Sequence, residues 1–258
     1  MRNISNPAMI SELKSKIEEH EVISFDIFDT LLLRAYVNPS DVFHHLEKIN
    51  DEADFAGKRC YADGAARARN PEREEVTFDQ IYEALGNRLQ YLKQQEMDLE
   101  ESALTANPEM MEAFNYAKSL GKKIVICSDM YFSGDFLGKV LKKKGFTDYY
   151  KLYVSSDLNK TKRSSNLYKH VLEELNISPD KMLHIGDNLG VDCDVADYLG
   201  ISAFYYEKVI HRFFEQNQRA TIFYQKNHEQ IGASIILGVC AIKSLTSGDD
   251  YWQNLGYD

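Results

Sequence analysis

The sequence is poor in the features that mark several protein classes. Its 258 residues hold four cysteines, Cys60, Cys127, Cys193 and Cys240, with no CxxC pair and no histidine cluster at metal-ligand spacing. Neither a zinc site nor a disulfide framework is indicated, and a reducing cytoplasm fits best. Long apolar runs are missing. The longest, Ile231 to Ile242, is about a dozen residues against the roughly twenty of a spanning helix, and Met1-Arg2-Asn3-Ile4-Ser5 has no signal-peptide stretch. Basic charge is in the minority, with 30 Lys and Arg against 40 Asp and Glu, a net charge of −10. With no basic stripe interleaved with aromatics, nucleic-acid binding is not expected. Internal repeats, low-complexity tracts and a GxGxxG fingerprint are absent, and Gly134 to Lys139 lacks both the spacing and the following Ser/Thr of a phosphate-binding P-loop. What is present is 44% hydrophobic residues, enough at this length for a full core with a second module.

Five short apolar runs rich in β-branched and aromatic residues read as buried strands: Val22 to Phe25, Lys123 to Cys127, Lys151 to Val154, Lys181 to Ile185 and Ile201 to Tyr205. Each is followed by polar residues. Between them lie helical segments, Met110 to Leu120 before Gly121, Phe136 to Lys144 before Gly145, and Asn166 to Leu175 before Pro179. Strand alternating with helix predicts an α/β fold with a Rossmann-like parallel sheet covered on both faces. Its ligand belongs beyond the carboxyl ends of the strands. The interval from about Pro39 to Asn107 breaks the alternation with four helix-like stretches and reads as a helical insertion above that edge. The expected organisation is a core of residues 1–36 and 106–207, a helical cap of 37–105, and a helical C-terminal extension of 208–258. Trp252 and the closing Leu255-Gly256-Tyr257-Asp258 resemble the start of another element, so the natural chain is expected to run on.

The strand-end loops carry the chemistry. Phe25-Asp26-Ile27-Phe28-Asp29-Thr30 places Asp26 at a strand end as a nucleophile, a metal ligand or a turn former. Ser128 in Cys127-Ser128-Asp129 offers a hydroxyl to an anion or caps the next helix. Ser155 to Arg163 is a loop with three cations, Lys160, Lys162 and Arg163. Gly186-Asp187 to Asp194 places three carboxylates, Asp187, Asp192 and Asp194, within eight residues, which suits a hard cation such as magnesium. Carboxylate, hydroxyl, lysine and paired carboxylates, in that order, are the inventory for magnesium-assisted phosphoryl transfer through an aspartyl-phosphate. His184 reads as a core histidine, and His44 and His45 as cap-helix residues. For Arg34 two roles stay open, a contact to a substrate anion and a hold on the cap hinge.

In these loops the sequence resembles the haloacid dehalogenase-like hydrolase superfamily over about residues 20 to 206. The resemblance implies that Asp26 attacks phosphorus and that Ser128 binds the phosphoryl group. The context Ser155-Ser156 through Leu167-Tyr168 matches Lys162 rather than Lys160 to the family's lysine. Mg2+ would be held by Asp26, the main-chain carbonyl of Phe28, and Asp187, with Asp192 direct or through water. An insertion just after the first motif resembles the family's α-helical cap.

One position departs from the pattern. The phosphatase branch carries a second aspartate two residues after the nucleophile, which protonates the leaving oxygen and then activates water, and here that residue is Phe28. Asp29 is the nearest substitute. The dehalogenase branch also lacks this aspartate, because a halide leaves without a proton. The expectation is a cytoplasmic phosphohydrolase or phosphotransferase for a small phosphorylated metabolite such as a sugar phosphate. The alternatives are an impaired binding or scaffolding module and a dehalogenase-type hydrolase. Phe25 to Arg34, together with Asp250 to Tyr257, also looks like predicted relatives associated with bacterial surface-polysaccharide synthesis, some joined to glycosyltransferase domains. The C-terminal segment would then meet such a partner domain.

Overall fold

The computed structural model describes residues 4–246, and the pattern Asp250 to Tyr257 with Trp252 lies outside the described residues. Along the chain run α1 (Pro7–Glu19), β1 (Val22–Phe25), β2 (Leu32–Arg34), α2 (Asp41–Asn50), α3 (Phe55–Arg69), α4 (Phe78–Leu85), α5 (Leu92–Ala103) and β3 (Leu104–Ala106). There follow α6 (Pro108–Ser119), β4 (Lys123–Ser128), α7 (Gly134–Lys143), β5 (Lys151–Val154), α8 (Ser155–Leu158), α9 (Asn166–Leu175) and β6 (Met182–Gly186). The described chain closes with α10 (Val195–Tyr198), β7 (Ser202–Tyr205), α11 (Val209–Gln216), α12 (Gln218–Asn227) and α13 (Ile231–Thr246). Among the described residues no helix is long and apolar enough to cross a membrane.

The five expected strands form one parallel sheet in the order β5-β4-β1-β6-β7. Side-chain alternation explains why both faces are covered. Ile23, Phe25, Ile124, Ile126, Leu183 and Ile185 turn to one core with α1, α6 and α7, while Val22, Val125, Cys127 and Met182 turn to the other with α9. The chain leaves β1 toward β4 and leaves β6 toward β7, so the crevice beyond their carboxyl ends opens between β1 and β6.

Helices α2 to α5 enter and leave the core through one short ribbon. Leu32, Leu33 and Arg34 pair antiparallel with Ala106, Thr105 and Leu104. Three-residue strands are too short for periodicity to reveal, and this pair had no sequence signal. Inside the insertion Arg59, 1% exposed, donates to both oxygens of Glu96 at 2.8 to 3.2 Å, and the Tyr82 hydroxyl adds a third donor at 2.7 Å. The guanidinium lies 4.7 Å from the Phe43 ring centre and 4.9 Å from that of Tyr131.

The last helices pack on the start of the insertion. A side chain at Gly238 would meet the backbone of Ala35 and Tyr36 at about 2.5 Å, so only glycine lets α13 lie this close. Ser234 of α13 accepts from the Val37 N–H at 2.8 Å and donates to Asp41. On α11 the buried Arg212 pairs with Glu109 at 2.7 Å and contacts Tyr206, whose ring hydroxyl also meets Asn107. Asn107 in turn donates to the Thr30 carbonyl at 2.7 Å, so this network braces the loop after β1.

Candidate active site

Asp26 follows β1, and its N–H donates to the Ile185 carbonyl at 2.9 Å, extending the β1–β6 ladder by one residue. The loop then turns through Asp29 in the left-handed region, φ 54°, and Leu32 N–H closes it on the Ile27 carbonyl at 2.7 Å. At the end of β6, Gly186 makes room for a neighbour. A Cβ there would sit 2.3 Å from Asp192 Oδ2, so the absence of a side chain lets that carboxylate fold back against the strand end. Asn188 caps the π-helical turn Leu189–Asp194 that carries Asp192. Ser128 is buried at the last position of β4. The helix cap is Ser133, whose hydroxyl accepts from Phe136 N–H, so Ser128 has no capping role.

Residues 155–158, expected to be loop, form the single turn α8, and Lys162 lies in the loop beyond it. Asp129 holds that loop from the β4 side, accepting from the N–H groups of Lys162 at 2.7 Å and Arg163 at 3.2 Å. The Lys162 ammonium bridges Asp26 Oδ1 at 2.8 Å and Asp192 Oδ1 at 2.6 Å. Lys160 points elsewhere, 3.2 Å from His170 Nδ1.

Asp26, Asp187 and Asp192 are all buried and each offers an oxygen within 4.8 Å of the others. Burial raises the Asp26 carboxyl to about 8; Asp192 and Asp187 push the same way and Lys162 opposes them. Burial also raises Asp187, with Asp29 adding to the effect and Lys208 opposing it. Asp192 goes the other way: burial disfavours its charge, but Lys162 and His184 outweigh burial and lower it. Burial depresses His184, so its ring is neutral at neutral pH. The hydrogen-bond network assigns its proton to Nε2, facing Asp192 at 3.3 Å, with Nδ1 accepting from Ser24 at 2.8 Å. His184 is therefore a hydrogen-bonded core residue that steadies Asp192.

Sequence motifs missed one participant. Lys208, after β7, reaches Asp187 at 3.0 Å and Asp29 at 3.2 Å. The signal was available, since Glu207-Lys208 are polar residues after an apolar run like those after the other strands. Asp29 thus faces Lys208, with Arg34 at 4.0 Å, rather than standing beside Asp26 in the manner of a free acid. Arg34 itself pairs with Glu100 at 2.9 Å and lies 4.0 Å over the Phe28 ring. Of the two roles left open for Arg34, this contact to the insertion matches the hold on the hinge. His45 bonds the Tyr36 hydroxyl at 2.8 Å and His44 is exposed.

The donor set fits a divalent cation. Four carboxylates, Asp26, Asp29, Asp187 and Asp192, face two ammonium groups, Lys162 and Lys208, with Arg34 4.0 Å from Asp29 but paired more closely with Glu100, so carboxylates outnumber cations around the raised Asp26 carboxyl. All its charged acceptors are hard oxygens, the kind magnesium takes. Both oxygens of Asp192 already accept, Oδ1 from Lys162 and His184 and Oδ2 from Asn188 N–H at 3.0 Å. Asp26 and Asp187 directly follow β1 and β6, the two strands that flank the crevice.

A family model for haloacid dehalogenase-like hydrolases matches residues 20–200. A search of curated proteins gave no match. Among solved structures, a HAD family enzyme from Bacteroides thetaiotaomicron superposes with a TM-score of 0.56 at 19% identity, covering 73% of this chain and 94% of its own. The same enzyme in complex with magnesium and inorganic phosphate gives 0.53 at 18% identity, over 73% and 95%. The L-2-haloacid dehalogenase of Xanthobacter autotrophicus gives 0.51 at 18% identity, over 77% and 83%. At these identities the structural likeness speaks for the fold.

Proposed function

Because the chain belongs to the haloacid dehalogenase-like hydrolases, we propose that it is a magnesium-dependent phosphohydrolase or phosphotransferase that works through an aspartyl-phosphate on Asp26. The observation that carries this reading is the buried excess of carboxylate around Asp26. A scaffold has no use for such an imbalance, and a divalent cation removes it. Asp26, Asp187 and the Phe28 carbonyl would hold magnesium, which when bound would supply positive charge that favours the ionised form of Asp26 and offsets the charge of the phosphoryl oxygens.

The chain's own groups do the rest. An Asp26 oxygen attacks phosphorus while the bond from phosphorus to the leaving oxygen breaks. Ser128 and Lys162 hold the phosphoryl oxygens, and Asp192, steadied by His184 and Asn188, holds Lys162. Helices α2 to α5 act as the cap that encloses a small phosphorylated metabolite, with a sugar phosphate as the class suggested by the resemblance of Phe25 to Arg34 and Asp250 to Tyr257 to relatives associated with surface-polysaccharide synthesis. Phe28 cannot donate a proton to the leaving oxygen, and Asp29 is engaged by Lys208. Substrates with good leaving groups are therefore favoured, and the aspartyl-phosphate passes to water or to an acceptor hydroxyl without a base at position 28.

A second reading rests on the same residue. A carbon–halogen substrate needs no proton for its leaving group, so Phe28 would cost a dehalogenase nothing. The deciding assay measures phosphate release from sugar phosphates and an aryl phosphate with and without Mg2+, beside halide release from 2-haloacids, in wild type and Asp26→Asn. Magnesium-dependent phosphate release that disappears in Asp26→Asn is the expected result. Halide release without phosphate release would overturn the proposal, as would phosphate release that Asp26→Asn retains.

A further inference from the structure

The insertion meets the Lys162 loop through the turn between α3 and α4. Glu74 Oε2 accepts from the Thr161 N–H at 2.8 Å, from the Thr161 hydroxyl at 3.3 Å and from the Ser164 hydroxyl, while Oε1 accepts from the Asn166 amide. Glu74 N–H donates to Asn159 Oδ1 at 2.9 Å, and the adjacent Arg73 donates to the Ser156 carbonyl at 2.8 Å. One carboxylate thus gathers groups from three residues on both sides of Lys162. Burial opposes its charge, but the bonds from Ser164, Asn166 and Thr161 outweigh burial and keep it ionised.

The loop depends on partners outside itself. Asn159 and Ser165 bracket Lys162 in the left-handed region, φ 52° and 70°, a backbone state that costs a residue such as serine energy and persists only where neighbours over-determine it. Those neighbours are Asp129 on the core side and Glu74 on the insertion side. The Lys162 ammonium reaches two carboxylates at once, Asp26 and Asp192, so its placement is sensitive to the loop's path.

We propose that Glu74 is a positioning residue that acts through Lys162, so that docking of the helical insertion on the 159–166 loop and placement of the lysine beside Asp26 are one event. The inference deepens the reading above, since it takes the Lys162 ammonium as the binder of the phosphoryl group. It makes the insertion a sensor as well as a cover, because a site left open by the insertion is also a site whose lysine is unset.

The test is calorimetric binding of inorganic phosphate in the presence of Mg2+ to wild type, Glu74→Ala, Glu74→Gln, Lys162→Ala and the double variant Glu74→Ala/Lys162→Ala. Glu74→Ala is expected to weaken phosphate binding on the order of tenfold or more, the range for residues that orient direct contacts. Glu74→Gln, which keeps an acceptor oxygen, recovers part of the loss. In the Lys162→Ala background the Glu74→Ala change has no further effect, because a residue that acts only through the lysine has nothing left to set. Wild-type binding by Glu74→Ala overturns the proposal, as does the same tenfold loss with Lys162 already removed. Failure of wild type to bind phosphate at all would instead refute the phosphoryl reading of the site. Hydrogen exchange at the Lys162 and Arg163 amides then decides the matter for Glu74: faster exchange in Glu74→Ala supports its hold on the loop, and unchanged exchange removes it.

Discussion

Two of the buried charge clusters among the described residues, one in the inserted helices and one at the strand ends, differ in balance. Around Arg59 one cation meets one carboxylate, both Glu96 oxygens are engaged, a tyrosine hydroxyl adds a donor and aromatic rings pack the faces of the guanidinium. Around Lys162 and Lys208 two ammonium groups meet four carboxylates, and the Arg34 guanidinium near one of them is paired more closely with Glu100. A balanced cluster has its partners within the chain and holds helices together. An unbalanced one is destabilising as it stands, and its imbalance describes the charge of what it is built to take.

Substitutions can sharpen that contrast. Asp26→Asn should lower phosphate release by on the order of 10³-fold or more, as loss of a nucleophile does, while the melting temperature holds or rises because an under-compensated carboxylate is gone. A fall in melting temperature comparable to that of the next variant would erase the distinction between the clusters. Glu96→Gln should do the reverse, leaving the Arg59 charge buried without its counter-ion at a cost of about 3–5 kcal/mol. At roughly 2–4 °C per kcal/mol for a chain of this size, calorimetry should read a drop on the order of 10 °C.

Phe28→Asp comes next and probes the gap in the site's chemistry. Supplying a carboxylate two residues after Asp26 should raise turnover of alkyl phosphates by about 10²-fold, the low end for acid–base assistance, and Phe28→Leu should not. The smallest effect concerns the balanced pair Arg212–Glu109. Burial opposes the Glu109 charge, but the Arg212 and Tyr206 contacts outweigh it and hold the carboxyl below its ordinary 4.5. Its stabilising contribution is therefore present above that pH and is lost as pH falls through the lowered value. The melting-temperature difference between wild type and Glu109→Gln should shrink steadily below about pH 4.

The sequence made some of these features legible and hid others, for identifiable reasons. The five core strands announce themselves because a strand buried on both faces reads as an unbroken apolar run, and Asp26, Ser128 and Asp187 follow because strand ends are where polar residues reappear. Lys162 could be chosen over Lys160 only through its flanking pattern, and the structure sends the two side chains to different partners. Lys208 and Glu74 carry no motif. Lys208 sits in a stretch whose composition reads as extension, and the partners of Glu74 lie 85 to 92 positions away in the chain, a separation that local patterning does not encode. The same holds for Gly238, whose need to be glycine arises from the backbone of Ala35 and Tyr36 near the other end of the chain, next to the Val37 N–H from which Ser234 accepts.

The meeting of α13 with Ala35 and Tyr36, and of Ile4 N–H with the Ser244 carbonyl at 3.0 Å, has a meaning in the order of synthesis. Asp26 leaves the ribosome early, but Lys208 and the helix seated on the insertion's first residues follow only after every strand of the sheet. A nascent chain can assemble most of the sheet while its acidic pocket still lacks one of its two ammonium groups and its hinge is unheld. Lys208 and the helices α11 to α13 thus finish the pocket from outside the sheet, and a polypeptide halted before them would carry the motifs of the site without its completed geometry.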